Sequence, residues 1–407
     1  MLNADVSEPD FTSQSSGPVP ASGTRERPAM RVAFIVPGRF DRLTGGSVYD
    51  RRLSDYLGES GARVDVISLP DLPYFAGLIS GLVISPLLAL RIAGRGYDLI
   101  IEDGWAHPPL LLFNLLCRAA SGLKIAIIVH QLRWLERRCR AASAVARSVE
   151  RATLKASHLV ITVSHFMRAE IEELIDDEPN IMIARPGSDR KRDLSPGESN
   201  PEESSTSRPT APSLEAAPVR LLFVGNCARR KGLHHLMTAL SILREPLVKL
   251  DVVGDYNFDP AYTKELEWEV ARLGLRDRVI FHGQVSDERL SGFYAQADVF
   301  VMPSSYEGFG IVYAEAMRAG LPVIASDTGP ASEIVSAGAN ALLVPPGDAR
   351  ALAEAISTLA SDAELRAQYG RRSLELSHRL PTWDDTCGLI LKSMSDLICG
   401  QKSFGQN

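Results

Sequence analysis

The sequence predicts an α/β protein of two domains, each built on its own doubly wound parallel sheet. Three observations carry this reading. Short continuous apolar runs alternate with helix-spaced segments, which is how buried parallel strands and their crossover helices appear in a sequence. The alternation runs through the chain twice, with a break between. The composition is globular: 407 residues, 45% apolar and 23% charged, enough for two or three domains. A collagen-like, mucin-like or wholly disordered chain is excluded.

Residues 1–29 are rich in Ser, Pro, Asp and Glu and lack an apolar stretch. They predict a disordered tail without a secretory signal. The first domain is expected over 30–187. Met30–Pro37 reads as a buried strand, and Gly46–Glu59 as a helix closed by Gly61. Strands follow at Val64–Leu69, Asp98–Glu102, Lys124–Val129 and Leu159–Val163, with helical stretches between them. Leu72–Leu90 has 19 residues and no charge, but Gly77, Gly81, Pro73 and Pro86 interrupt it. It is expected to be a buried or membrane-touching segment rather than a span.

The stretch 188–218 carries five prolines among Ser and Glu and reads as a linker with a floppy insertion. The pattern restarts over 219–380. Strands are expected at Val219–Val224, Lys249–Val253, Val279–His282, Val299–Pro303, Pro322–Ala325 and Ala341–Val344, with helices between them. Residues 381–407 predict a last helix packing back on the first domain. In such sheets ligands bind at the carboxyl ends of the strands, so two domains predict a central cleft as the site.

Five cysteines, widely spaced and without a CxxC pair, fit reduced thiols in a cytoplasmic protein. With 44 Lys and Arg against 50 Asp and Glu, the net charge of −6 argues against a nucleic-acid partner.

Three constellations carry chemistry. In Pro303–Ile311 a strand end passes through a glycine-bearing loop into a helix. The amides of Gly308, Phe309, Gly310 and Ile311 would offer an anion site there. Glu307 and Glu315 flank that junction eight residues apart, and carboxylates beside a phosphate are best suited to accepting hydroxyl protons from a sugar. In Val224–Gly232, Gly225 follows a strand while Arg229, Arg230 and Lys231 stand before a helix, a cationic mouth for a diphosphate. In the first domain Gly46 lies at a loop–helix junction and His130 ends a strand. Residues 118–168 also hold ten Arg and Lys against two Glu. Arg133, Arg137, Arg140, Arg147 and Arg151 recur at helical spacings, a basic stripe over 133–151 that suits an anionic membrane surface.

These motifs resemble the retaining glycosyltransferases of the two-Rossmann-domain GT-B class, family 4. The resemblance covers about Met30–Leu397. It rests on the Glu-x7-Glu pair Glu307 and Glu315, together with Val224-Gly225, Lys231-Gly232, Val253-Gly254, His282–Val285, Ala325–Asp327 and Leu343–Asp348 in order. It implies two Rossmann-like domains, N-terminal for the acceptor and C-terminal for a nucleotide-sugar donor. It further implies that Glu307 contacts the donor sugar, Glu315 the ribose, and Lys231 with Arg230 the diphosphate. The amides of 309–311 would hold the distal phosphates, His130 would stand beside the reacting sugar, and Gly46 would line the cleft. No cofactor and no metal are implied, the nucleoside diphosphate sugar being the donor substrate. One departure is Asn226, where family members often carry Arg; Arg229 or Arg230 would supply that charge.

The expected function is retaining transfer of a hexose to a hydroxyl of a lipid or polysaccharide intermediate. The expected setting is cytoplasmic, either free or peripheral on the inner face of the membrane. Alternatives are a sugar-nucleotide epimerase-like enzyme of the same fold and a non-catalytic nucleotide-sugar-binding protein.

Overall fold

The computed structural model describes residues 30–40, 44–120, 123–135, 140–175, 180–189, 218–243 and 248–400. The expected tail and nearly all of the expected linker lie outside them. The chain divides into two compact units: unit 1 comprises Met1–Pro186 with Trp383–Asn407, and unit 2 comprises Gly187–Thr382.

Unit 1 begins with β1 (Arg31–Pro37), α1 (Gly45–Glu59), β2 (Arg63–Leu69), α2 (Tyr74–Ile92), β3 (Leu99–Asp103) and α3 (His107–Ala120). It continues through β4 (Lys124–Val129), α4 (Arg140–Ala156), β5 (Leu159–Thr162), α5 (His165–Leu174) and β6 (Ile181–Ile183). All six strands are parallel, in the order β2-β1-β3-β4-β5-β6. The core follows from the apolar runs: Val32–Ile35, Leu99–Ile101 and Ile125–Ile128 are essentially inaccessible to solvent. Thr44 starts α1 by accepting a hydrogen bond from the Ser47 amide at 3.1 Å, an ordinary N-cap. Right-handed crossovers place α2, α3, α4 and α5 on one face of this sheet and α1 on the other.

Unit 2 contains β7 (Val219–Val224), α6 (Leu233–Ile242), β8 (Val248–Val253), α7 (Pro260–Arg272), β9 (Val279–Gly283), α8 (Asp287–Gln296) and β10 (Val299–Met302). It ends with α9 (Ile311–Arg318), β11 (Val323–Ser326), α10 (Ala331–Ile334), β12 (Ala341–Val344), α11 (Ala349–Ser361) and α12 (Ala363–Ser377). Its parallel order is β12-β11-β10-β7-β8-β9. Renumbered from β7 this is 3-2-1-4-5-6 read from the β9 edge, the order of dinucleotide-binding sheets.

The last helix, α13 (Trp383–Cys399), belongs to unit 1. Cys387, Ile390 and Met394 are buried, Trp383 packs edge-on to Tyr49 at 5.5 Å, and Thr386 donates to the Arg185 carbonyl at 2.6 Å.

Two expectations change. The sheet of unit 1 has a sixth strand, β6, absent from the sequence reading. The basic stripe over 133–151 is not one helical face, because Arg133 lies in a turn and α4 begins only at Arg140. The Arg133 and Trp134 amides donate to the buried Glu150 carboxylate at 2.7 and 3.0 Å, and the Arg133 guanidinium lies over Trp105 at 5.0 Å. Arg137 falls outside the described residues.

Candidate active site

Each sheet has one place where the chain reverses its direction of strand addition. In unit 2 it lies between β7 and β10, whose following loops diverge and leave a crevice at their carboxyl ends. The loop after β7 carries Gly225, Asn226 and the single 3-10 turn Arg229–Lys231; the loop after β10 carries Glu307. The two loops are tied together by the Ser305 amide, which donates to the Arg230 carbonyl at 2.8 Å. Gly232 makes this approach possible: its φ is +76°, and a Cβ there would lie 2.2 Å from the Pro303 carbonyl oxygen.

Lys231 Nζ donates to Glu307 Oε1 at 2.6 Å. Arg230 reaches the same oxygen at 3.1 Å and the Tyr306 carbonyl at 3.1 Å. The Glu307 side chain is only 9% exposed. Burial opposes its ionisation, but the charges of Lys231 and Arg230 outweigh that and hold the carboxyl at about 2. The cluster is thus a buried anion with two cations, one positive charge in excess.

Behind the loop, α9 starts at Ile311 with Gly310 as its N-cap in the left-handed region, and Phe309 is buried. Glu315 lies one turn into α9, where its carboxylate accepts from the Tyr294 hydroxyl at 2.9 Å. The structure therefore brings Lys231, Arg230 and Glu307 into contact, with Gly308–Ile311 following directly. Gly225 sits below Lys231, its Cβ direction 3.6 Å from Lys231 Cε. Arg229 points elsewhere: it pairs with Glu265 and lies over the Tyr262 ring at 4.9 Å. Of the two arginines considered for the charge missing at Asn226, Arg230 is the one at Glu307. Asn226 has a local duty, accepting from the Asp255 amide at 3.3 Å.

In unit 1 the reversal lies between β1 and β3. His130, just after β4, meets Asp50 of α1, with Nε2 to Oδ1 at 2.9 Å. Asp103, the last residue of β3, joins them and accepts from the Trp105 amide at 2.8 Å. One ligand atom from each of the three side chains lies within 4.8 Å of the others, a spacing that a metal ion could also bridge. Burial, then the charge of Asp50, pushes Asp103 up to about 7. Burial alone would lower His130, but the charge and hydrogen bond of Asp50, with Asp103, raise it. Gly46 gives His130 its space: a Cβ there would lie 2.9 Å from the ring. Tyr49 flanks the ring edge-on at 5.2 Å and is anchored through its hydroxyl to the Ala184 carbonyl at 2.9 Å.

Asp50 and Asp103 were missed by sequence reasoning. The signal was present at Asp103, which ends an apolar strand just as His130 follows one. At Asp50 it was a carboxylate one turn beyond Gly46, next to the apolar positions Tyr49 and Leu53 of α1.

Two family models account for most of the chain: the glycosyl transferase 4-like domain matches residues 26–187 and the glycosyl transferases group 1 domain residues 211–375. Both also fit the two sheets. The chain belongs to the GT-B glycosyltransferases of family 4. A D-inositol 3-phosphate glycosyltransferase of Xylanimonas cellulosilytica is 36% identical over 171 residues, 42% of this glycosyltransferase chain and 40% of the relative. The match therefore spans less than half of that relative's length. Among solved structures, sucrose-phosphate synthase from Thermosynechococcus elongatus superimposes with a TM-score of 0.76 at 24% identity, covering 91% of this chain and all of that one. Anabaena HepE in complex with UDP-glucose gives 0.69 at 21% identity, covering 90% of this chain and all of that one. At these identities the likeness of the GT-B chain to both is one of fold.

Proposed function

We propose that the chain transfers a hexose from a nucleoside diphosphate sugar to an acceptor hydroxyl, with retention at the anomeric carbon. The observation that carries this reading is the buried, ionised Glu307 held by Lys231 and Arg230 at the reversal point of the second sheet. An arriving diphosphate competes with Glu307 for the two cations. Lys231 and Arg230 then neutralise the leaving group, helped by the amides at the start of α9. Released from them, Glu307 accepts from hydroxyls of the donor sugar, and Glu315 from those of the ribose. The positive charge that the leaving diphosphate needs comes from these side chains and amides, so the mechanism assigns no step to a metal.

In unit 1, His130 is assigned to a hydroxyl of the reacting sugar, with Asp50 and Asp103 fixing its ring and its proton. The proton of the acceptor hydroxyl leaves with the diphosphate on the same face of the sugar. The UDP-glucose complex of the HepE neighbour supports a nucleotide-sugar donor for this chain too. The acceptor in this reading is a lipid-linked or polysaccharide intermediate at the cytoplasmic face of a membrane.

The test is nucleotide release from a panel of UDP- and GDP-sugars in the presence of acceptors. Lys231→Ala and Glu307→Ala are expected to abolish release. Turnover unchanged in both variants would reject the assignment, and an epimerised donor formed without any acceptor would favour an epimerase.

A further inference from the structure

The helix α2 is apolar on both sides. Its inward side carries Tyr74, Leu88 and Ile92 toward the ends and small residues between them: Gly77 and Gly81 lie against Pro108 and Pro109 of α3, and the Ser85 hydroxyl donates to the Pro109 carbonyl at 2.5 Å. Other bulky residues point to solvent: Ile79, Leu82, Val83, Leu87 and Leu90 are 61–74% exposed, and Phe75 is 44% exposed. They recur at spacings of three and four, one continuous stripe along the helix. Leu115 and Leu116 of the neighbouring α3 are exposed as well. A helix that is apolar all round is normally covered on every side. Among the described residues Ile79, Leu82, Val83, Leu87 and Leu90 stay open to solvent along the helix, and only 28% of its apolar span is buried.

The charges around this face are one-sided. Within the spans of α2, α3 and α4 the only acidic residue is Glu150, which is buried. The same three helices carry Arg91, Arg118, Arg147, Arg151 and Lys155. Arg91, Arg118 and Lys155 stand exposed in the last turns of three parallel neighbours, and Arg118 donates to the Lys155 carbonyl at 2.9 Å, so these cations share one edge. Among the described residues, the exposed Asp71 precedes α2, and acidic side chains resume at α5, beyond α4, where Glu173 meets Arg147 at 3.9 Å. This is a cationic layer on a chain whose net charge is −6.

We infer that the outer face of α2, with Leu115 and Leu116, docks on an anionic lipid bilayer. The apolar stripe enters the boundary of headgroups and acyl chains, and the cations of the α2–α4 layer meet the lipid phosphates. The helix lies on the membrane and does not cross it, because its inward side is fastened to α3. A second copy of the chain is a poor occupant, since two such faces would oppose like charges. The inference does not depend on the transferase reading.

The experiment is flotation of the full chain, without donor or acceptor, on vesicles of phosphatidylcholine with or without abundant phosphatidylglycerol. Binding is expected only on the anionic vesicles and should weaken as salt is raised. Leu82→Glu with Leu87→Glu should weaken it by about a hundredfold. Arg147→Gln and Arg151→Gln should each weaken it by about fivefold. Leu82→Ser with Leu87→Ser is the milder variant if the acidic pair melts early, and it should weaken binding in the same direction. The inference is overturned if the chain fails to bind anionic vesicles or if folded apolar variants bind as well as the parent. A dimer in light scattering that the Leu82→Glu, Leu87→Glu pair splits would also overturn it.

Discussion

The two units solve the same problem with opposite charge. In unit 2 the reversal point gathers two cations around one acid, and Glu307 is kept ionised at about 2. In unit 1 it gathers two acids around one imidazole, and Asp103 keeps its proton up to about 7. The backbone logic is shared: parallel strands, divergent loops and a side chain delivered at each strand end. The difference teaches that the fold fixes where a site lies, while the local charge count decides whether it grips an anion or stores a proton.

Removing charge from unit 2 should give the largest effect. Lys231→Ala is expected to cut nucleotide release by about a hundred- to a thousandfold. Steady-state kinetics with the preferred donor would measure it, and a loss below tenfold would mean that Arg230 alone carries the diphosphate. Next comes one substitution made in both units. Gly232→Ala puts a Cβ against the Pro303 backbone at positive φ and is expected to cost about 2 kcal/mol or more, read as a lower urea midpoint. Gly46→Ala meets only the His130 ring and should leave the midpoint nearly unchanged while lowering turnover. Equal midpoint shifts would erase the distinction.

The pH response should also differ in sign. Asp103 and His130 both have raised values, so the folded protein holds protons that the unfolded chain has given up. Unit 1 therefore loses stability as pH rises from about 4 to 7 through Asp103, and again as pH passes the raised value of His130. The slope is about 1.4 kcal/mol per pH unit for each extra proton held. Glu307 is lowered, so its contribution is complete above the ordinary carboxylate range and lost as pH falls toward 2. Denaturant midpoints at pH 5 and 8, and at pH 5 and 3, should separate the two limbs. Glu102 of β3, pushed up to about 8 by burial, adds to the first limb, so Asp103→Asn should reduce that limb without removing it, and Glu307→Gln should flatten the second. The smallest expected effect is that of Asn226→Ala, which removes one hydrogen bond to the Asp255 amide and should cost about 1 kcal/mol without a comparable loss of turnover.

Strand ends and short motifs were legible in the sequence because each depends on neighbours along the chain. Glu307, Lys231 and Arg230 could be named from loops that follow apolar runs. Asp50 and Asp103 could not, since the first sheet alone brings residues 80 and 27 positions away to His130. The strand β6 escaped notice because three residues are too few to show a pattern. Arg133 was misplaced on a helix because the periodicity of arginines cannot reveal that Glu150 captures the Arg133 and Trp134 amides and holds them in a turn.

The return of α13 to unit 1 has a consequence for biosynthesis. Its buried side chains complete the surroundings of Tyr49, yet on the ribosome they are made only after the whole of unit 2. The first unit to be translated is thus the second able to close. Until then, the apolar groove awaiting Trp383, Ile390 and Met394 stays open, an interval in which the nascent chain would need shielding from aggregation.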